Sequence, residues 1–369
     1  MSHFFESEVP PAPTPRRRHR YKGVLAVLIA LVVLGGGGWF AIRGVSSALA
    51  APDYAPSTAA DPVTVKVPEG STLTDIGTIL ADAGVVESDK AFVRAAKANS
   101  DATSIQAGSY QLPTHIPGAE AVTTMLDPAS RVQRRVTLRE GLTLEKQLDA
   151  IAEQSGLPRA DFEKLAEKPD GLGLPKYAKG LEGYLFPDTY DFEDDATAKD
   201  ILTTMVKQYA KVADEVGLEK AARTLDRSPA DLVTVASIIE AEVFNDADRP
   251  KVARVLYNRL DQGMKLQLDT TVKYANGLDG KVTTTDQERA KDSPYNTYLH
   301  EGLPPGPIGA PGKAALDAAA HPADGDWLYF VAVNLETGET KFASTFEEHQ
   351  QYVAEFQAWC QANKDKGLC

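Results

Sequence analysis

The stretch Ser228–Phe244, read SPADLVTVASIIEAEVF, constrains the chain more than any other. Ser228 is a capping residue, Pro229 suits the first helical position, and Asp231 stands where the capping-box partner goes, so the spacing predicts a helix opening at Ser228. Its interior is almost wholly apolar, with Leu232, Val233, Val235, Ile238 and Ile239. Such a helix offers no face to water, so a domain must be built around it. Glu240 then interrupts the pattern. Its helical neighbours are Val233, Ala236, Ser237, Val243 and Phe244. A carboxyl among such groups loses hydration, which favours its protonated form and suits it to general-acid work. Glu242 points to nearly the opposite face, so the two cannot pair closely on this helix. Spacing alone also admits a plainer state, a helix-end glutamate in a salt bridge with Arg254 or Arg259.

At 369 residues the chain is too long for one ordinary domain. Of its net charge of −13, residues 1–22 carry +3 (Arg16, Arg17, Arg18, Arg20 and Lys22 against Glu6 and Glu8), leaving −16 on the rest. So acidic a body argues against nucleic acid as a partner. Gly23–Ile42 is a run of 20 uncharged residues. At about 1.5 Å per helical residue it matches a hydrocarbon core of about 30 Å. The basic flank predicts a cytoplasmic N-terminus and an extracytoplasmic body at the inner (plasma) membrane. Ala48-Leu49-Ala50 resembles a signal-peptide cleavage site, but the length of the run favours an uncleaved anchor. The two cysteines, Cys360 and Cys369, are free to pair or to remain thiols. The six histidines show no ligand spacing, so no metal and no cofactor is expected.

The organisation read along the chain is a polar tail (1–22), a transmembrane helix (23–42), an Ala/Ser/Pro-rich linker (43–61), a small domain (62–126), a larger mixed domain (127–355) and a C-terminal tail (356–369). The fold class is α+β. In the small domain, Val63, Val65 and Val67 alternate as in a half-buried strand. Two helices follow, near Leu73–Leu80 and Asp89–Ala98, and Gly108–Leu112 returns as a strand. This βααβ order, with its V-x-V-x-x-G-x-T-L opening, resembles a LysM-type domain, which implies binding to N-acetylglucosamine-containing glycan. The opening Val65–Leu73 recurs as Val136–Leu144, again with a Glu-Gly turn between strand and helix, which suggests a duplicated unit. Later segments predict helices near Asp161–Glu167, Ala196–Val216 and Arg249–Gln262, a hairpin over Trp327–Ala343, and a closing helix that Thr345 and Glu348 box.

Three stretches, read as loops, mix aromatic, amide, carboxylate and Gly/Pro residues: LEGYLFPDTY (Leu181–Tyr190), LQLDTTVKY (Leu266–Tyr274), and SPYNTY (Ser293–Tyr298) followed by GLPPGPI (Gly302–Ile308). Sugars need flat aromatic faces and planar hydrogen-bonding groups, and prolines hold such groups with little entropy left to lose. Singly each could be a turn with a buried tyrosine; together they point to a glycan cleft. With ASIIEAE (Ala236–Glu242) and VLYNRL (Val255–Leu260), in this order, they resemble the MltG (YceG-like) family of endolytic murein transglycosylases, from the anchor to about Val353. A tryptophan often stands in that family where Tyr184 stands here.

The resemblance implies an inner-membrane enzyme that cleaves the β-1,4 bond between MurNAc and GlcNAc within peptidoglycan strands, leaves 1,6-anhydro-MurNAc ends and terminates strand elongation. It places the catalytic glutamate at Glu240. The substrate-binding residues expected from the stretches are Tyr184, Asp188, Gln267, Asp269, Tyr295, Asn296, Thr297 and Tyr298, with peptidoglycan synthases as further partners. One carboxyl suffices if the C6 hydroxyl of the same MurNAc attacks C1, because an internal nucleophile has a high effective molarity; Asp188 or Asp269 would be the second carboxylate if water attacks instead. A non-catalytic glycan-binding scaffold for wall-synthesis enzymes is the alternative of another class, and a hydrolytic muramidase the alternative enzyme. No G-x-S-x-G, H-E-x-x-H or G-x-x-x-x-G-K pattern is present. The anchor is tested by fractionation. The mature protein should stay with the membrane and be open to protease only from outside, and a soluble form beginning near Ala51 would instead mean cleavage after Ala50.

Overall fold

The computed structural model describes residues 51–56, 60–243, 245–278 and 284–364. The expected membrane segment lies outside these. Among the described residues no helix is long and apolar enough to cross a membrane. The chain divides after Arg131 into two units.

In the first unit β1 (Ala60–Val67) pairs antiparallel with β2 (Gly108–Thr114), with Val65 opposite Tyr110. Between them lie α1 (Leu73–Asp82) and α2 (Asp89–Ala98), so strand, helix, helix and strand follow in the expected order. A further helix, α3 (Gly118–Leu126), packs on the same core of Val65, Val67, Leu80, Phe92 and Leu112. Pro117 has no side-chain acceptor with which to cap α3, and Asp53 does it instead, its carboxylate accepting from the Gly118 N–H at 2.9 Å. Ser88 also donates to the Pro52 carbonyl at 2.7 Å. The expected linker therefore ends sooner than residue 61: its described part over 51–56 is tied to the folded unit, and β1 begins at Ala60.

The second unit opens with β3 (Gln133–Thr137), α4 (Leu144–Ser155) and α5 (Arg159–Glu167). β4 (Thr189–Glu193) returns to pair antiparallel with β3, placing Val136 opposite Tyr190. Next come α6 (Ala198–Glu215), α7 (Leu218–Thr224), α8 (Pro229–Glu242), α9 (Arg249–Asp261), α10 (Asp269–Asn276), α11 (Asp286–Arg289) and α12 (Lys313–Ala320). The hairpin β5 (Tyr329–Asn334) and β6 (Glu339–Ala343) precedes α13 (Phe346–Ala362). Every residue of α8 from Leu232 to Ile239 is buried, and α7, α9, α10 and α12 pack around it. Its capping box forms as the sequence predicts, with Ser228 Oγ accepting from Asp231 N at 3.1 Å and the Asp231 carboxylate from Ser228 N at 2.9 Å.

The internal echo is also structural. Gly70 (φ 77°) and Gly141 (φ 75°) turn the chain in left-handed backbone, which glycine adopts without steric cost. The helices that follow start differently. Thr72 caps α1 with its side chain, whereas Thr143 makes no such bond. The first N–H of α4, on Leu144, donates instead to the carboxylate of Glu182, at 3.0 and 3.1 Å to its two oxygens.

Three expectations change. LQLDTTVKY is not a loop. Gln267 turns through left-handed backbone (φ 52°), Asp269 opens α10 with an acid at the positive helix end, and Gly277 (φ 62°) closes it. The boundary at 355 falls inside α13, which runs on to Ala362. The closing box is half formed: Thr345 accepts from Glu348 N at 3.2 Å, but the Glu348 carboxylate takes the Ser344 N–H. Cys360, near the end of α13, is disulfide-bonded, and Cys369 lies outside the described residues.

Because α8 carries the core, its cap should matter to stability. Ser228→Ala should cost about 1 kcal/mol, read as a lower urea midpoint at unchanged slope.

Candidate functional site

The last turn of α8 presents Glu240 and Glu242 to different surroundings. Glu240 does not sit among apolar groups. One oxygen accepts from Arg249 Nη2 at 3.1 Å, the two side chains being only 7% and 8% exposed, and the other accepts from the Gly312 N–H at 3.0 Å. The partner is Arg249 rather than Arg254 or Arg259. Arg254 donates to the Ala323 carbonyl, and Arg259 to those of Leu328 and Leu266. Arg249 also pairs with Asp246 at 2.8 Å. The Glu140–Gly141 turn borders this ion pair. Gly141 and Ala310 are joined by a backbone bond of 2.8 Å, and a side chain at Gly312 would run into the Glu140 carboxylate. Burial first, and then the charge of Glu240, pushes the Glu140 carboxyl up.

Glu242 faces a groove of about 470 Å³ that it lines with Gln267, Asp269, Tyr298, Tyr329 and Phe330. Burial pushes its carboxyl up from the ordinary value; the Thr270 hydroxyl, donating at 2.6 Å, and Lys273 pull it down, and Asp269 adds to the rise. Asp269 is itself held rigidly. One oxygen accepts from the hydroxyls of Thr284 and Tyr298, both at 2.7 Å, and the other from the Thr284 N–H at 2.8 Å. Behind the groove, Thr297 fixes the Gln267 turn: its carbonyl accepts from Gln267 N at 3.1 Å and its hydroxyl from Leu268 N at 3.0 Å.

A larger cavity, about 950 Å³, lies at the opposite end of α8, lined by Tyr177, Glu182, Tyr184, Asp231, Tyr295 and Pro307 among others. Gly183 allows the wall to close, since a Cβ there would sit 2.6 Å from Pro307. Glu182 accepts from Tyr274 Oη at 3.0 Å as well as from Leu144 N, and burial pushes its carboxyl up to about 7.

The expected site residues are thus shared out. Gln267, Asp269 and Tyr298 join Glu242 in the groove. Tyr184 and Tyr295 line the cavity, Tyr184 packing edge-on against Tyr209 with centroids 4.9 Å apart and Tyr295 lying 4.8 Å from Tyr274. Asn296 and Thr297 are buried and build the turn between the two, the Asn296 amide donating to the carbonyls of Arg289 and Lys291. Asp188 accepts from Gln208 at 3.0 Å and lines neither space. Sequence reasoning missed Glu182, Thr270, Arg249 and Glu140. Glu182 and Thr270 carried a signal, each standing inside a stretch singled out above, LEGYLFPDTY and LQLDTTVKY. Arg249 and Glu140 stood outside those stretches. Among the described residues no group of three or more His, Cys, Asp or Glu is arranged to hold a metal.

The model of the YceG-like family matches residues 65–355. The chain belongs to that family. It is similar to the endolytic murein transglycosylase of Bacillus subtilis (strain 168), 34% identical over 306 residues that cover 78% of this chain and 83% of that protein. It is also similar to that of Streptococcus pneumoniae serotype 2, 30% identical over 366 residues, 90% of this chain and 64% of that longer protein. The crystal structure of a YceG-like protein from Listeria monocytogenes matches with a TM-score of 0.53 at 36% identity, over 79% of this chain and 99% of that one.

In this YceG-like chain Glu182 should leave a mark on stability. Its folded pKa is raised from an ordinary 4.5 to about 7. The folded state therefore holds the extra proton between those values, and stability is full below about 4.5 and falls as pH rises through about 7. Urea midpoints measured across that window should show the fall, and Glu182→Gln should flatten it.

Proposed function

We propose that the protein is an endolytic murein transglycosylase whose acid–base group is Glu242. The observation that carries the reading is a carboxyl raised by burial at the floor of a groove lined by Gln267, Asp269 and Tyr298. The relatives' names support the class of substrate and reaction. A carboxyl raised by burial keeps its proton to higher pH than an exposed one and can give it to the glycosidic oxygen between MurNAc and GlcNAc. The C1–O bond breaks, and positive charge develops at C1 near the fixed carboxylate of Asp269. Both Asp269 oxygens are already engaged, so it serves as a charge rather than a nucleophile. Glu242, now ionised, takes the proton of the MurNAc C6 hydroxyl, whose oxygen closes on C1. The proton count balances without water, and the attack is intramolecular.

Placing the acid at Glu240, as the sequence suggests, is the competing reading. Its geometry opposes it: one oxygen is taken by Arg249 and the other by the Gly312 N–H, and Glu240 does not line the groove. We also propose that Gly23–Ile42 anchors the protein in the inner membrane, catalytic unit outside, and that the βααβ unit is LysM-like and holds glycan. Cleavage there would terminate nascent strands beside the synthases.

The test is product analysis on intact glycan strands with two variants. Glu242→Gln keeps the shape and removes the proton, so activity should fall by about 10²–10⁴-fold. Wild-type products should carry 1,6-anhydro-MurNAc ends. Reducing MurNAc ends would mean that water attacks, making the enzyme a muramidase. A fully active Glu242→Gln beside a dead Glu240→Gln would return the acid to Glu240, and no cleavage by wild type would leave the scaffold reading.

A further inference from the structure

Glu240 and Arg249 are expensive where they stand. Both side chains are more than nine-tenths buried, and Arg249 Nη1 is buried with no hydrogen-bond partner. A buried donor left unpaired costs about 1–3 kcal/mol. A buried ion pair is weak evidence for stability, since apolar groups of the same volume often do as well. Something other than stability explains why the pair is there, and its position says what. Glu240 lies two residues before Glu242, in the last turn of α8, and Arg249 is the first residue of α9. The pair closes a loop around the short connection that leaves Glu242. Gly312 N–H fixes the second Glu240 oxygen, and Asp246, inside that connection, holds the guanidinium from the other side.

We infer that Glu240 and Arg249 are positioning residues for Glu242, clamping the end of α8 so that the Glu242 carboxyl is held over the groove. The inference rests on reading Glu242 as the acid. The charged groups facing the clamp are Glu140 from the β3–α4 turn and Asp246 from the connection. Three carboxylates share one guanidinium, so removing Arg249 leaves uncompensated negative charge at the end of α8. Removing Glu240 alone leaves a buried guanidinium with the exposed Asp246 and the more distant Glu140 as its remaining partners. Removing both takes away the buried ion pair itself.

That asymmetry gives a test which a catalytic Glu240 cannot pass. Kinetics on glycan strands would be measured for Glu240→Gln, Arg249→Met and the double variant, with thermal unfolding as the control for folding. Each single variant should lose about 10–100-fold in kcat, with KM within about 2-fold of wild type, since a misplacement of about 1 Å is enough for such a loss. The double variant should regain at least about 5-fold over the worse single one, because neither side of the pair is then left as a buried charge without its partner. Arg249→Lys, which keeps the charge, should fall between wild type and Arg249→Met and covers the case in which Arg249→Met does not fold. A double variant no more active than the worse single, or single variants with wild-type kcat, would overturn the inference. If the assignment of the acid is what fails, Glu242→Gln remains active, a result separate from the double-variant recovery.

Discussion

A helix with no polar face must be surrounded, and the second unit is the consequence of surrounding α8. Its eight consecutive buried residues leave no place for water, so α7, α9, α10 and α12 close around it. Chemistry can enter only where the apolar run ends. At one end Ser228 and Asp231 satisfy the first N–H groups beside the larger cavity; at the other, two glutamates emerge into polar surroundings brought by remote segments. The difference between those glutamates lies in what reaches each. An arginine and a backbone N–H reach Glu240, while a threonine hydroxyl and a shielding groove reach Glu242.

Much of the framework was legible because it is written locally. The cap at Ser228, apolar periodicity in α6 and α9, and the Glu-Gly turns all depend on residues within a few positions of one another. The surroundings of Glu240 and Glu242 were not, because the environment of a side chain at the end of a helix is set by whatever packs there. Arg249 is nine residues from Glu240 and Gly312 is 72 away. The helix in LQLDTTVKY was hidden for a related reason. Its start depends on Gln267 adopting left-handed backbone, which the neighbouring Thr297 turn stabilises and no local rule would assign to glutamine.

The duplicated strand–turn–helix shows how one local pattern is adapted to two settings. In the first unit α1 caps itself through Thr72 and Asp75. In the second, Thr143 gives up that task and Glu182 performs it from the aromatic stretch, while also bonding Tyr274. A cap that is intramotif in one copy has become a tie among α4, the Leu181–Tyr190 segment and α10 in the other. The same carboxyl thereby joins three elements that line or border the larger cavity.

The complete burial of Leu232–Ile239 also sets a hierarchy of motion. Amides inside a helix with no exposed face, held at one end by a capping box and at the other by an ion pair, can meet solvent only when the whole unit opens. They should be the slowest to exchange hydrogen for deuterium. Glu240 and Glu242 are therefore mounted at the end of the stiffest part of the molecule. Whatever yielding a long polymer requires in order to thread past it must come from the walls: the prolines of Gly302–Pro307, the hairpin of β5 and β6, and the turn around Tyr295–Tyr298.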